Sequence, residues 1–262
     1  MYIVFDLDDT LLNNQRKVSE FSLSRLNYYQ GLGHKIVINT ARNIYRTESL
    51  IEIIKPDYTI LDGGTIILDK DMKVIYEHPF DKKIINDLVL EMASFSSDVC
   101  VQTYRQLFAT NPNYTSQGAL YRDFVTNPLK EEENVYKIIF VPSDRDKALR
   151  LIDKYNIEVF NYLNGKWYRA NPKSVTKYTG ILNLLKITNG KEDEVIAFGD
   201  DYSDLDMITK TYHGVAMANS VPYVLEQAKN VCLSNEEDGV VKYLDDYFRE
   251  GKKWKLLRNY LL

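Results

Sequence analysis

The chain has 262 residues, 45% hydrophobic and 27% charged, which is room for one large α/β domain or two smaller ones around a buried core. A formal net charge of −4 disfavours a nucleic-acid or acidic-membrane partner, so a basic groove is not the expected functional surface. The opening Met1-Tyr2-Ile3-Val4-Phe5 lacks the pattern of a signal peptide, no apolar run is long enough to span a bilayer, and Cys100 and Cys232 stand apart without a CxxC pair. A cytoplasmic protein without a disulfide framework or a cysteine zinc site is the expectation.

Ile3 to Phe5 is a short apolar run ending at Asp6, as a buried parallel strand ends before a loop. Ser19 can cap the next helix, where Leu23, Leu26 and Tyr29 recur at helical spacing until Gly31 and Gly33 break it. Lys35 to Asn39 predicts a second buried strand, a helix with Leu50, Ile51 and Ile54 ends at Pro56, and Thr59 to Leu61 predicts a third strand. This alternation implies a parallel sheet with right-handed crossovers, covered on both faces.

From about Phe80 to Asn171 the pattern changes. It predicts a helix with Ile84, Ile85, Leu88 and Met92, strands at Val99 to Thr103 and Gln106 to Thr110, and an irregular polar stretch. A strand from Lys137 to Val141, a helix from Asp144 to Tyr155 and two alternating strands ending at Arg169 follow. After Pro172 the α/β rhythm returns: a helix with Ile181, Leu182, Leu184 and Leu185, then a strand Val195 to Phe198 ending at Gly199-Asp200. Short strands at Gly214 to Met217 and Asn230 to Leu233 flank a helix opened by Ser220 and Pro222. The predicted architecture is therefore a Rossmann-like parallel-sheet core, residues 1–79 and 172–262, with an inserted α+β domain at 80–171. Trp254, Leu256, Leu257, Tyr260 and Leu261 suggest an amphipathic terminal helix docked on the core.

Open parallel sheets bind ligands beyond the carboxyl ends of their strands, where Asp6, Asp8, Thr40 and Asp200 fall. Asp6, Asp8 and Asp9, joined by Asp200, Asp201, Asp204 and Asp206, would repel one another in a closed crevice unless a cation neutralised some of them. Carboxylates and carbonyls suit magnesium; zinc is disfavoured because His34, His78 and His213 are isolated and no HExxH occurs. Asp6 and Asp8 lie two apart, so continued strand geometry would put both on one face, one to attack phosphorus and the other to serve the leaving group or water. Taken singly, each of these residues reads as a turn, a cap or a solvated charge. Arg42 is open between contacting phosphate and pairing with a carboxylate. Tyr104, Arg105, Arg122, Trp167 and Arg169 of the insert are candidates either for substrate contact or for packing and surface pairing.

The ordered set resembles the haloacid dehalogenase-like (HAD) hydrolases, and within them the Cof-like branch with a type IIB cap between the second and third motifs. The resemblance rests on Asp6-Leu7-Asp8-Asp9-Thr10-Leu11-Leu12, Asn39-Thr40-Ala41-Arg42, Lys177, and Gly199-Asp200-Asp201-Tyr202-Ser203-Asp204. Val215 to Ser220 and Glu237 to Val240 add to it. It implies that Asp6 is the nucleophile, Asp8 the general acid and base, and Thr40 and Lys177 the phosphate-binding groups. It further implies Mg2+ on Asp6, the Asp8 backbone carbonyl and Asp200, with Asp204 contacting the ion through water or orienting its shell. The activity so implied is hydrolysis of a small phosphate monoester such as a sugar phosphate through a phosphoaspartate. A phosphotransferase or mutase, or a non-catalytic phospho-signalling module, is the alternative; the sequence sets no oligomeric state. The stretch from Thr40 to Lys177 leaves room for the cap as a lid. Ala41, Gly63, Tyr178 and Ser203 depart from the commoner motif forms.

Overall fold

The computed structural model describes residues 1–113, 118–162 and 166–260; the side chains of 161, 162 and 250–260 lie outside that description. Strand β1 (Tyr2–Phe5) leads to α1 (Glu20–Gly31), whose start is fixed by the Ser19 hydroxyl accepting from the Ser22 N–H. β2 (Lys35–Asn39) leads to α2 (Ile44–Ile54), capped by the Asn43 side chain accepting from the Arg46 N–H and ended by Lys55 in the left-handed region before Pro56. β3 (Tyr58–Leu61), β4 (Ile66–Asp69) and β5 (Val74–Glu77) follow. Next come α3 (Lys82–Ser94), β6 (Ser96–Thr103), β7 (Leu107–Ala109), β8 (Leu120–Tyr121), β9 (Val135–Pro142), α4 (Arg145–Tyr155), β10 (Ile157–Tyr162) and β11 (Trp167–Pro172). The chain then returns through α5 (Lys177–Thr188), β12 (Val195–Gly199), α6 (Leu205–Lys210), β13 (His213–Met217), α7 (Pro222–Gln227), β14 (Val231–Cys232) and α8 (Gly239–Tyr260).

Two sheets result. The first has eight strands in the order β14-β13-β12-β1-β2-β3-β4-β5, parallel from β14 to β3. β4 and β5, which the apolar pattern does not mark, then add antiparallel at the edge of the expected parallel-sheet core. Each is four residues long, too short for its apolar run to declare a period. The second sheet has six strands in the order β10-β11-β9-β6-β7-β8 and is antiparallel except at β7–β8.

Alternation along β1 explains the layers. Ile3 and Phe5 point to one face, with Ile36, Ile38 and Phe198, against Leu26 and Tyr29 of α1, Ile51 of α2 and Leu244 of α8. Tyr2 and Val4 point to the other, with Val37, Ile60 and Ala197, against Ile181 and Leu184 of α5 and Met207 of α6. Each fully buried Ile, Leu or Phe contributes about 1.5–3 kcal/mol relative to exposure. A separate core under the second sheet joins Leu88 and Met92 of α3, Leu151 of α4 and Ile138 and Phe140 of β9.

Two local expectations change. β11 runs to Pro172 rather than stopping at Arg169, because Ile157 pairs with Pro172 at the far end of the hairpin. Val221, not Ser220, occupies the cap position of α7, with Pro222 opening the helix; the Ser220 hydroxyl instead points at the Gly199 carbonyl, 3.5 Å away. In the terminal helix, the side chains of Trp254, Leu256, Leu257 and Tyr260 lie outside the described ones and Leu261 outside the described residues. Among the described residues, no helix is long and apolar enough to cross a membrane.

Candidate active site

β1 and β12 are neighbours, so the residues that follow them emerge side by side: the Asp6 N–H donates to the Phe198 carbonyl at 3.1 Å, and Asp200 follows Gly199. Asp204 comes back through a short turn opened by Asp201, and its Oδ2 accepts the N–H groups of Asp200 and Asp201 at 3.2 Å each. Ligand atoms of Asp6, Asp200 and Asp204 all lie within 4.8 Å of one another, and the three residues are 7%, 8% and 0% exposed. Thr10 Oγ1 donates to Asp200 Oδ1 at 2.6 Å and so fixes that carboxylate.

Lys177 is the first residue of α5. Its buried Nζ lies 2.6 Å from Asp204 Oδ1 and 3.0 Å from Asp6 Oδ1. Asn39, at the end of β2, donates its Nδ2 to the Lys177 carbonyl at 2.9 Å and ties the start of α5 to the sheet. One ammonium thus faces three carboxylates. Burial pushes Asp6 up to about 7 against the pull of Lys177, with the Asp204 charge adding to the rise. Burial, reinforced by Asp204, pushes Asp200 up to about 8. Burial works to lower the Lys177 pKa, but Asp204 and Asp6 outweigh it and hold the ammonium above its ordinary value. Asp6 Oδ1 is buried without a hydrogen bond of good geometry. A carboxylate oxygen held only by its ion pair with Lys177, in an under-neutralised cluster of hard oxygen donors, suits a small divalent cation such as Mg2+.

Asp8 lies in different surroundings, its side chain 41% exposed. The backbone is extended at Asp6 (φ −71, ψ 168) and at Asp8 (φ −66, ψ 132), then reverses at Asp9 (φ 54). Asp6 pairs with Lys177, whereas Asp8 is gripped by both arms of Arg42, with Nε 2.7 Å from Oδ2 and Nη2 on Oδ1. Burial works to raise the Asp8 pKa, yet the Arg42 hydrogen bonds and charge, with Arg46 and Arg16 behind, hold it below the usual carboxylate range. Of the two readings open for Arg42, the structure has the carboxylate pair.

Thr40 is buried at the end of β2, its N–H on the Ile60 carbonyl at 2.9 Å. Its Oγ1 accepts the Arg42 N–H at 3.2 Å, leaving the hydroxyl proton to donate elsewhere. A cavity of about 390 Å³ opens beside Asp8, lined also by Asp9, Leu12, Asn13, Asn14, Arg16 and Arg46.

Asp201 accepts the Tyr202 N–H at 2.7 Å and Asp206 pairs with Lys210 at 3.0 Å, local roles that leave them out of the cluster. In the insert, Arg122 is paired with Glu133 at 2.6 Å, Arg105 lies 3.7 Å from Glu48, Arg169 sits over the Phe160 ring, and Tyr104 packs on the first sheet's core. The carbonyl of Ala41 accepts Lys137 Nζ, and Gly63 sits in a turn at φ 74. Sequence reasoning missed the supporting roles of Thr10 and Asn39, which stand inside the motif runs, and of Asp62 and Lys137, which no motif marks.

An acidic cluster and a buried lysine thus lie together at the carboxyl edge of the parallel strands of an α/β frame. The chain belongs to the haloacid dehalogenase-like hydrolase family, whose model matches residues 3–244. It is 24% identical over 275 residues to the 5-amino-6-(5-phospho-D-ribitylamino)uracil phosphatase YwtE of Bacillus subtilis (strain 168), covering 93% of this chain and 96% of that one. Its fold matches BT1666 of Bacteroides thetaiotaomicron, a HAD-superfamily phosphatase, with a TM-score of 0.81 at 21% identity over 94% of each chain. It also matches the HAD subclass IIB sugar phosphatase BT4131, with a TM-score of 0.78 at 18% identity over 94% of this chain and 98% of that one.

Proposed function

We propose that this phosphoric monoester hydrolase cleaves a small phosphorylated metabolite, with a sugar phosphate the leading class, through a phosphoaspartate on Asp6. The observation that carries the reading is the contrast between two neighbouring acids: Asp6 buried against Lys177 beside Asp200 and Asp204, and Asp8 more open and held by Arg42. Residues 1–79 and 172–262 act as the catalytic core and 80–171 as a cap that shields the site from water.

In the first half-reaction an Asp6 oxygen bonds to phosphorus, the ester P–O bond breaks, and Asp8 gives its proton to the leaving alkoxide. In the second, Asp8 takes a proton from water as the water oxygen attacks phosphorus, which releases inorganic phosphate and restores Asp6. The Thr40 hydroxyl and the Lys177 ammonium bind phosphoryl oxygens and spread the transition-state charge. Asp6, Asp200 and the Asp8 main-chain carbonyl would hold Mg2+, which would supply charge neutralisation at the site. Both Asp204 oxygens already serve Lys177 and two backbone N–H groups, which favours a role in orienting the other ligands or reaching the ion through water. Because Arg42 keeps Asp8 ionised between turnovers, the proton it donates arrives with the substrate as the phosphate monoanion, and the proton it takes from water leaves with the phosphate product.

Release of inorganic phosphate from a panel of phosphorylated metabolites, with Mg2+ and after chelation, tests the reading. Asp6→Asn should reduce steady-state turnover to background, and retention of most activity by that variant would overturn the nucleophile. An isomeric phosphorylated product without free phosphate would point to a mutase instead.

A further inference from the structure

Three consecutive carbonyls of the loop after β2 are tethered, and not all from the same unit. The Thr40 carbonyl accepts the Gly63 N–H at 3.0 Å, and the Arg42 carbonyl accepts the Asp62 N–H at 2.9 Å. Between them the Ala41 carbonyl accepts Lys137 Nζ at 2.9 Å. Gly63 and Asp62 lie just beyond β3 in the first sheet, but Lys137 belongs to β9 in the second. The same ammonium bonds Asp62 Oδ1 at 2.6 Å, with the Lys137 and Asp62 side chains 9% and 0% exposed. Gln102 of β6 stands opposite Lys137 in the sheet register, and its Oε1 accepts Asn43 Nδ2 at 2.6 Å. Two facing residues of the second sheet therefore seat it on residues 41–43 and Asp62.

The turn that Lys137 grips is committed in conformation: Asp62, Gly63 and Gly64 have φ of 50, 74 and 117. It abuts the cap of α5, because a Cβ on Gly64 would lie 2.3 Å from the Thr176 carbonyl oxygen, one residue before Lys177. Packing alone does not ask for an ammonium here, since an apolar side chain would fill the space without desolvating a charge. What the ammonium adds is a directed grip on one carbonyl and one carboxylate. That grip bears on Arg42, whose N–H lies on Thr40 Oγ1 and whose guanidinium holds Asp8.

We propose that Lys137 is a positioning residue for the reaction: when the second sheet is seated, its ammonium locks the Thr40–Arg42 loop in the arrangement that presents Asp8 through Arg42. The proposal rests on the reading of Asp6 and Asp8 given above. A second sheet that swings away takes Lys137 with it and releases the middle of the three tethers, so the reactive arrangement is complete only when the unit is closed.

The test compares full-length wild type with Lys137→Met on glycerol phosphate, whose leaving group needs protonation, and on p-nitrophenyl phosphate, whose leaving group does not. Lys137→Met should lower kcat/KM, which reports the first half-reaction, on glycerol phosphate by about tenfold or more and on p-nitrophenyl phosphate by less than about threefold. Because Met leaves Asp62 buried without its partner, the double variant Lys137→Met, Asp62→Leu removes both charges and should show the same leaving-group-dependent loss. Equal losses on the two substrates, or a folded double variant with wild-type selectivity between them, overturns the proposal. Asp6→Asn run alongside separates the two levels. If that variant is inactive while Lys137→Met behaves as wild type, only the role of Lys137 falls; if it stays active, the reading of the site falls with it.

Discussion

Asp6 and Asp8 are the same residue type two positions apart, and their surroundings push their pKa values in opposite directions. Desolvation raises Asp6 to about 7, while the Arg42 fork overcomes desolvation and lowers Asp8. Such divergence is how one site assigns separate tasks to two carboxylates. Asp8→Asn should therefore slow the first half-reaction of esters with poor leaving groups by about 10²–10⁴-fold and spare that of p-nitrophenyl phosphate relatively, read as kcat/KM on the two substrates. Equal losses would argue against acid catalysis by Asp8. The two acids were legible in the sequence as a pair at a strand end; their different partners were not, because Lys177 and Arg42 reach them from other elements.

At the scale of elements, the site depends on where α5 begins. Thr176 caps that helix with its side chain accepting the Thr179 N–H, Asn39 holds the Lys177 carbonyl from β2, and the turn after β3 presses on Thr176. Gly64 is the tightest point, at φ 117 with no space for a Cβ against the Thr176 carbonyl. Gly64→Ala should cost about 2–4 kcal/mol, combining left-handed strain with displacement of the helix cap, measured as a shift of the denaturation midpoint at unchanged slope. An unmoved midpoint would show that the turn tolerates a side chain. The helices and buried strands around this junction follow from caps and apolar periodicity. The turn itself does not, since three consecutive positive φ values over Asp-Gly-Gly are set by what packs against them.

For the whole molecule, the acidic cluster links stability to pH and, on the proposed function, to cation binding. Asp6 and Asp200 have folded pKa values of about 7 and about 8, above the ordinary carboxylate value of about 4. Between roughly pH 4 and 8 these two carboxylates therefore bind more protons in the cation-free folded protein than in the unfolded chain. Their contribution is complete below about pH 4 and is lost as pH rises through the folded values. Asp8 works in the opposite sense, its contribution lost as pH falls through its depressed value, and His34 and His213, both held low, also favour the folded state at higher pH. The increment from Mg2+ isolates the cluster: the ion should raise Tm by several degrees at pH 8 and by less at pH 5, where protons already occupy the carboxylates. A Tm indifferent to Mg2+ at pH 8 would count against the cluster as a cation site.

Alternating apolar runs and helix caps are local, so the sequence by itself determined the α/β rhythm, its interruption near residue 80 and the acids at the strand ends. The antiparallel pair β4–β5 escaped because each strand is too short to show a period. The tertiary structure alone decided which charge meets which. Lys177 enters the acidic cluster by opening a helix after the insert, Arg42 turns onto Asp8, and Lys137 crosses from one sheet to the other to reach Ala41 and Asp62. Long-range pairing between charges leaves no periodic trace in the chain, because each attraction exists only once distant segments have met, where the lower dielectric strengthens it.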